Sequence, residues 1–359
     1  MIVIGIDPHT KTHTAVALDS ITGQILAETT VSADRSGHAE LLGWARTLGP
    51  ERLFALEDCR HVTGALERHL LPAGERLVRV APKLMAGARR SSRTYGKSDP
   101  IDAAAVARAA LREPNLPAAR LAGVEGDLRL LVDHRDDLVG ERKRIQKRLR
   151  WHLLDLEAGL ELPPRVLDRY VWLDRVEAAL QTLAPSTRRR IAQEQTRRCR
   201  KLTRQVRALE REIRSLVETL APELCDLPGC AALGAAALVG RSGGAARFAG
   251  EAAFAMHSGT APLRASSGTS ARHRLNRRGD RRLNATIHII AVTQARMHPP
   301  AIAYMERKKS EGKSTREALR CLKRHIARTV YKTMLQAERA RAGRVLQADY
   351  DSDELAVAV

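Results

Sequence analysis

Hydrophobic and polar positions along this chain follow two different periods. Near the start, short β-branched runs alternate with amphipathic stretches. Ile2–Asp7 ends on an acid, Thr12–Asp19 follows a polar turn, and Gln24–Thr30 follows Thr22-Gly23. These spacings predict three consecutive antiparallel strands. Next come a predicted helix over Gly37–Leu48, a strand at Leu53–Glu57, a helix over Val62–Leu71 and a strand at Arg76–Ala81. A loop rich in Arg, Ser and Gly (Gly87–Lys97) then leads to a strong helix-former, Asp99–Leu111.

Further on the period lengthens. Leu202, Val206, Leu209, Ile213, Leu216 and Leu220 form a heptad seam, and Ile145, Leu149, Leu153, Leu156 and Leu160 form a similar stripe. Pro163-Pro164 and Pro185 divide this region into two long arms. An antiparallel or intermolecular coiled coil and simple packing of the arms within one chain both fit. A third part begins near Pro222, where Leu227-Pro228-Gly229 and Leu233-Gly234 resemble a helix-hairpin-helix element, although an ordinary helical hairpin fits as well. Helices are predicted over Leu283–Arg296 and Thr315–Arg341, and the acidic stretch Asp349–Glu354 is expected to be frayed.

Charge changes this picture. The 359 residues carry 61 Lys/Arg against 41 Asp/Glu, a net charge of +20. Residues 1–110 hold only 14 basic and 12 acidic groups, so nearly all of the excess lies downstream. That imbalance favours a nucleic-acid partner. With 3% aromatic residues, the composition argues against an aromatic base-stacking platform of the RNA-recognition type. No apolar run approaches the roughly 18 residues of a membrane span. The start lacks the basic region of a signal peptide. The five scattered cysteines, without a Cys-x-x-Cys pair, suit a reducing cytoplasm.

Four carboxylates stand out. Asp7 ends the first strand, Glu57 ends the fourth, and Asp99 and Asp102 share one face at a helix start. The order βββαβαβα is that of a ribonuclease H-like (RuvC-like) fold, in which strands one and four are neighbours. Such a fold would bring the four acids to one edge. Clustered carboxylates repel unless cations sit among them, and Mg²⁺ is the natural choice beside phosphate. Taken singly, each acid could instead end a strand or cap a helix. Asp58 competes with Glu57 for the inward position. Downstream, Arg264–Arg282 holds seven arginines (Arg264, Arg272, Arg274, Arg277, Arg278, Arg281 and Arg282) and one acid, Asp280. Arginines of this density suit a DNA backbone. Ser266, Ser267 and Ser270 lie among them, either as one nucleophile and its neighbours or as a polar, phosphate-holding loop.

The segments Ile4-Gly5-Ile6-Asp7, Leu56-Glu57 and Lys97-Ser98-Asp99-Pro100-Ile101-Asp102-Ala103 resemble the Asp-Glu-Asp-Asp (DEDD) tetrad of the insertion-sequence one-ten family of transposases. Leu227-Pro228-Gly229, Phe248 to Pro262 and Arg264–Leu283 resemble that family's C-terminal transposase domain. The resemblance implies an α/β-plus-α protein with a RuvC-like DEDD domain (1–120), a helical coiled-coil middle (121–221), a mostly helical C-terminal transposase domain (222–345) and a disordered acidic tail (346–359). It also implies a DNA recombinase that moves its own element, a serine recombinase by chemistry. Asp7, Glu57, Asp99 and Asp102 would hold Mg²⁺, and Ser267 would attack DNA to form a phosphoserine bond. A structured guide (bridge) RNA would pair with donor and target DNA, and a dimer or tetramer would assemble through the coiled coil, in the cytoplasm at the nucleoid. After Glu57 the family's usual Ala/Ser-Thr-Gly is replaced by Asp58-Cys59-Arg60-His61, with Thr63-Gly64 displaced. Three other readings remain. One is a metal-only RuvC-like nuclease or junction resolvase. Another is an actin-like or sugar-kinase-like ATPase, suggested by Gly5-Ile6-Asp7 and Lys11 but lacking a later Asp-x-Gly-Gly. The third is a purely architectural nucleic-acid-binding protein.

Overall fold

A computed structural model describes residues 1–82, 84–85, 98–113, 116, 118–119, 123–274 apart from 265–272, and 276–357 apart from 278. The chain forms two compact units, Met1–Leu121 and Ala122–Val359.

The first unit is built on a five-stranded sheet among the described residues: β1 (Ile2–Pro8), β2 (Thr12–Asp19), β3 (Ile25–Ser32), β4 (Arg52–Glu57) and β5 (Leu77–Val80), in the order β3-β2-β1-β4-β5. β1, β2 and β3 pair antiparallel, whereas β4 lies parallel to both β1 and β5. This is the neighbour relation that the βββαβαβα pattern predicts. Side chains alternate across the strands, so each face has its own core. Ile4, Ile6, Phe54 and Leu56 join Leu41, Ala45, Leu66 and Leu70 from α1 (Arg35–Leu48) and α2 (Arg60–Leu70). Each fully buried large side chain there contributes about 1.5–3 kcal/mol. On the opposite face Val3, Val16, Leu18 and Ala55 meet the alanines of α3 (Asp99–Arg112).

Two local features set the helix positions. The Asp34 carboxylate caps α1 by accepting from Gly37 N at 2.9 Å. In α3 the run Ala103-Ala104-Ala105, with Ala107 one turn on, presents almost no side chain, so the helix lies directly on β1. At Gly5 the approach is closest: a Cβ there would collide with Ala103 O and lie 2.6 Å from Ala107 N.

The second unit is helical. α4 (Val124–Asp155) and α6 (Thr187–Leu220) pack along each other, with α5 (Tyr170–Thr182) against α6. The pairs Arg135–Glu210, Glu141–Arg198 and Asp155–Arg188 make the two long helices antiparallel. Leu202, Val206, Ile213 and Leu220 of the seam are buried within the single chain, and Leu209 and Leu216 are half-buried. A short 3₁₀ turn (Pro222–Leu224) leads to α7 (Ala232–Ser242) and α8 (Glu251–His257). The strand pair β6 (Leu263–Arg264) and β7 (His273–Arg274) follows, then α9 (Arg281–Met297), α10 (Pro299–Ser310) and α11 (Thr315–Val357).

The middle and C-terminal regions, read as separate domains at 121–221 and 222–345, lie in one compact unit. The reason is a shared core: Leu128 and Val132 of α4 and Ile213, Val217 and Leu220 of α6 are buried together with Phe254, Leu283, Ile287 and Val330. The 346–359 tail, expected to be disordered, continues α11 as far as Val357. From Arg344 onward that stretch contains no Gly or Pro to end a helix. The Leu227-Pro228-Gly229 turn is braced on α9 although Pro228 and Gly229 are exposed: Gln294 Nε2 donates to Pro228 O at 2.9 Å, and Gly229 (φ 83°) closes against Thr293. No helix among the described residues is long and apolar enough to cross a membrane.

Candidate active site

The β1–β4 ladder ends at Ile6↔Leu56, which makes Asp7 and Glu57 the next residue on each neighbouring strand. Gly5 and Ala55 face α3. By alternation Asp7 and Glu57 therefore emerge on that face too. Asp58 lies beyond β4, with its amide bonded to Val80 O, so the strand register favours Glu57 for the inward position. Asp99 and Asp102 occupy the first turn of α3, where the positive end of the helix dipole favours carboxylates. Asp7 and Asp102 are buried, Glu57 is half-buried and Asp99 is exposed.

Electrostatics tie the four together. Burial raises the Asp7 carboxyl above its ordinary value; His9 pulls it back, while Asp102, Asp99 and Glu57 each push it further up. Such a set is repulsive when fully ionised, and a hard divalent cation is the partner that relieves it. The acids therefore fit a metal site on the chemistry of the donors. His9, which the sequence reading passed over, joins them: its Nε2 lies 3.2 Å from Asp7 Oδ2 and 3.4 Å from Asp99 Oδ1. Among the described residues, Asp7, His9 and Asp99 offer ligand atoms that all lie within 4.8 Å of one another. The signal for His9 was its spacing, two residues beyond Asp7 and hence on the same side of an extended chain. Burial, then Glu57 and Asp7, push the thiol of the neighbouring Cys59 up to about 11, which favours its protonated form.

The second predicted site is only partly described. Ser266, Ser267, Ser270, Arg272 and Arg278 lie outside the described residues, as does the side chain of Arg264. What brackets 265–272 is the β6–β7 pair, with Leu263↔Arg274 and Arg264↔His273 in register. Arg274 lines one cavity of this unit, and Arg277 and Arg281 line another. The Arg282 guanidinium is paired with Asp133 and Asp136. Asp280 caps α9, accepting from Leu283 N at 2.8 Å and Arg282 N at 2.9 Å. Burial alone would raise its carboxyl; these amides and Arg241 outweigh that and hold it below the usual range. Asp280→Ala is expected to cost about 1–2 kcal/mol through the lost cap, read as a lower urea midpoint at unchanged m-value.

Residues 4–156 match the DEDD transposase family of IS110 type, and residues 221–306 match the family described as Transposase IS116/IS110/IS902. The chain carries the two transposase domains of the IS110 family. The first contains all four carboxylates, and the second contains Ser267 and the arginine-rich segment. Neither match is to a serine-recombinase family, so that class name, expected from the sequence, is set aside. An uncharacterized 44.8 kDa protein of insertion element IS116 from Streptomyces clavuligerus is 31% identical over 159 residues. The match covers 44% of this chain and 39% of that protein, so the chain spans about two fifths of the length of the curated relative. Two solved chains of RuvC from Thermus thermophilus, one in complex with a Holliday junction substrate, are 16% and 17% identical. Each alignment covers 33% of this chain and 99% or 100% of the other, at a TM-score of 0.27. The fold argument therefore rests on strand order.

Proposed function

We propose that this chain is a transposase that cuts and rejoins the DNA at the ends of an insertion-sequence element. The observation that carries this reading is the convergence of Asp7, Glu57, Asp99 and Asp102 at the C-terminal ends of the neighbouring strands β1 and β4, in a chain with both IS110-type domains. These four residues would hold Mg²⁺, which when bound polarises a phosphodiester and stabilises the charge that develops on cleavage. The chain's own part is geometric: β1, β4 and α3 fix the carboxylates, and the near-absence of side chains on α3 keeps Asp102 close to Asp7.

In this proposal Ser267 is the nucleophile. Its Oγ forms a bond to phosphorus, the 3′ oxygen of the broken strand leaves and takes a proton, and the serine proton passes to a base. The arginines of 264–281 would neutralise the phosphate. Sequence choice would come from pairing with a structured guide RNA, which suits a chain with few aromatics. The working form would be a dimer or tetramer associated through the long helices, acting in the cytoplasm at the nucleoid.

The test is recombination in cells carrying the element with its flanking DNA. Junctions and denaturation-resistant protein–DNA adducts would be scored together, with the bound RNA sequenced. Wild type should give both products, and Ser267→Ala should lose both. Cleavage that survives Ser267→Ala but disappears in Asp102→Ala would favour the second reading, a metal-only RuvC-like nuclease or junction resolvase. That reading has the same carboxylate cluster in its support.

A further inference from the structure

Beyond both matched segments, α11 buries a cation. Lys323 is 6% exposed, and its Nζ donates to Asn284 Oδ1 at 2.6 Å. The orientation of that amide is fixed, because Asn284 Nδ2 donates to Ser258 O at 3.0 Å and to Gly259 O at 2.8 Å. A neutral oxygen is thus held against the ammonium. Among the described residues no carboxylate pairs with Lys323. Burial first, and then the nearby Arg320, depress its pKa to about 8. A buried ammonium with one neutral acceptor and a cationic neighbour is costly unless an anion compensates it.

The surroundings suit such an anion. Lys323 lines a cavity of about 800 Å³ together with Arg277, Arg281, Arg316, Arg320 and His288, and no acidic residue contributes to that lining. A second cavity of about 400 Å³ shares Asn276, Arg320 and Lys323 with it. Arg316, Arg320 and Lys323 are spaced i, i+4, i+7 on one helix face. They extend over about 10 Å of axis, at 1.5 Å per residue, which is more than a single phosphate needs. A chain of phosphates matches that length and charge better than an isolated anion.

We propose that this cavity seats the phosphodiester backbone of a nucleic-acid strand, with the Lys323 ammonium as its buried anchor and Arg316 and Arg320 as flanking phosphate contacts. The proposal rests on the reading that the chain acts on nucleic acid, and it adds to the arginines of the second matched segment three cations of α11 that lie outside both matches. DNA and RNA share the phosphodiester chemistry, so both are tested.

The experiment uses the full chain in EDTA, so that the carboxylate site takes no part. Labelled DNA duplex and labelled RNA hairpin are titrated by anisotropy over a range of salt. Lys323→Met should weaken at least one probe about tenfold and lower its salt slope by about one. In phosphate-free buffer it should also raise the thermal midpoint, since an uncompensated buried charge is gone. Inorganic pyrophosphate should raise the midpoint of wild type more than that of Lys323→Met. The probe that loses affinity identifies the strand that the cavity takes. Should Lys323→Met fail to fold, the double variant Arg316→Gln/Arg320→Gln, changed only at exposed positions, must show the same loss. Unchanged affinity and salt slope for both probes in the variants that fold would overturn the proposal. Failure of recombination in cells would leave this binding result standing, so the two readings fail separately.

Discussion

Asp7→Asn is expected to raise the thermal midpoint of the metal-free protein while abolishing strand cleavage. In the folded chain the Asp7 carboxyl titrates above its ordinary value of 3.8, because of burial first and then the charges of Asp102, Asp99 and Glu57. A raised carboxyl pKa means that folding favours the protonated form. The associated stability is fully present below the unfolded value and is lost as pH rises through the folded one. Ionising Asp7 therefore costs more in the folded chain than in the unfolded one, a cost that the amide removes. Wild type should lose stability as pH climbs from just above 3.8, and Asp7→Asn should lose less over the same window. Loss of a metal ligand that stabilises transition-state charge by several kcal/mol should cut cleavage by about 10³-fold or more. Thermal scans in EDTA and in Mg²⁺, with calorimetric Mg²⁺ titration, check both halves. A lower midpoint for Asp7→Asn in EDTA would show that the carboxylates do not repel as argued. This opposition between stability and chemistry is what a functional cluster produces.

Gly5→Ala should damage the first unit more than any ordinary single-methyl change. The added Cβ meets Ala103 O and Ala107 N, which are backbone atoms of α3 and cannot rotate away. Overpacking typically costs about 1–3 kcal/mol, and this site belongs at or above the top of that range. The relief available is for α3 to move off β1, which would also carry Asp99 and Asp102 away from Asp7. Denaturant titration should show a large drop in midpoint, and Mg²⁺ affinity should fall with it. Gly43→Ala is the control. Gly43 lies in α1 with nothing within 4 Å of an added Cβ, so this change should stabilise by about 0.5–1 kcal/mol. Equal effects of the two substitutions would refute the close-approach argument.

The readable part of this protein was its local part. The apolar runs of Ile2–Asp7, Thr12–Asp19 and Leu53–Glu57 set the strands within a residue or two of their observed ends, because a strand covered on both faces reads as a short apolar run bounded by polar turns. Asp99 and Asp102 were legible for the same reason, as an i, i+3 pair opening a helix. The preference for Glu57 over Asp58 followed from the shared side of Leu53, Ala55 and Glu57, and the register places Ala55 against α3 as that parity requires. His9 was missed because its spacing from Asp7 is only a local cue: its role depends on Asp99, ninety residues away, arriving beside it.

Longer-range matters were decided elsewhere. The heptad seam of α6 specifies an apolar stripe but not what covers it, and the chain's own α4 and C-terminal helices bury much of it. Arg282 is indistinguishable from its neighbours as a residue type, yet Asp133 and Asp136 claim it. Lys323 looks like one more solvated lysine in a basic helix until Asn284 and the packing of α9 enclose it. By itself the sequence determined the strand and helix periods, the surplus of positive charge after residue 110 and the four acids at element ends, since these follow from neighbours along the chain. Only the tertiary structure decided which charges are paired, which are buried without a counter-charge and which acids repel one another, because a charge acquires its energy from whatever surrounds it in space.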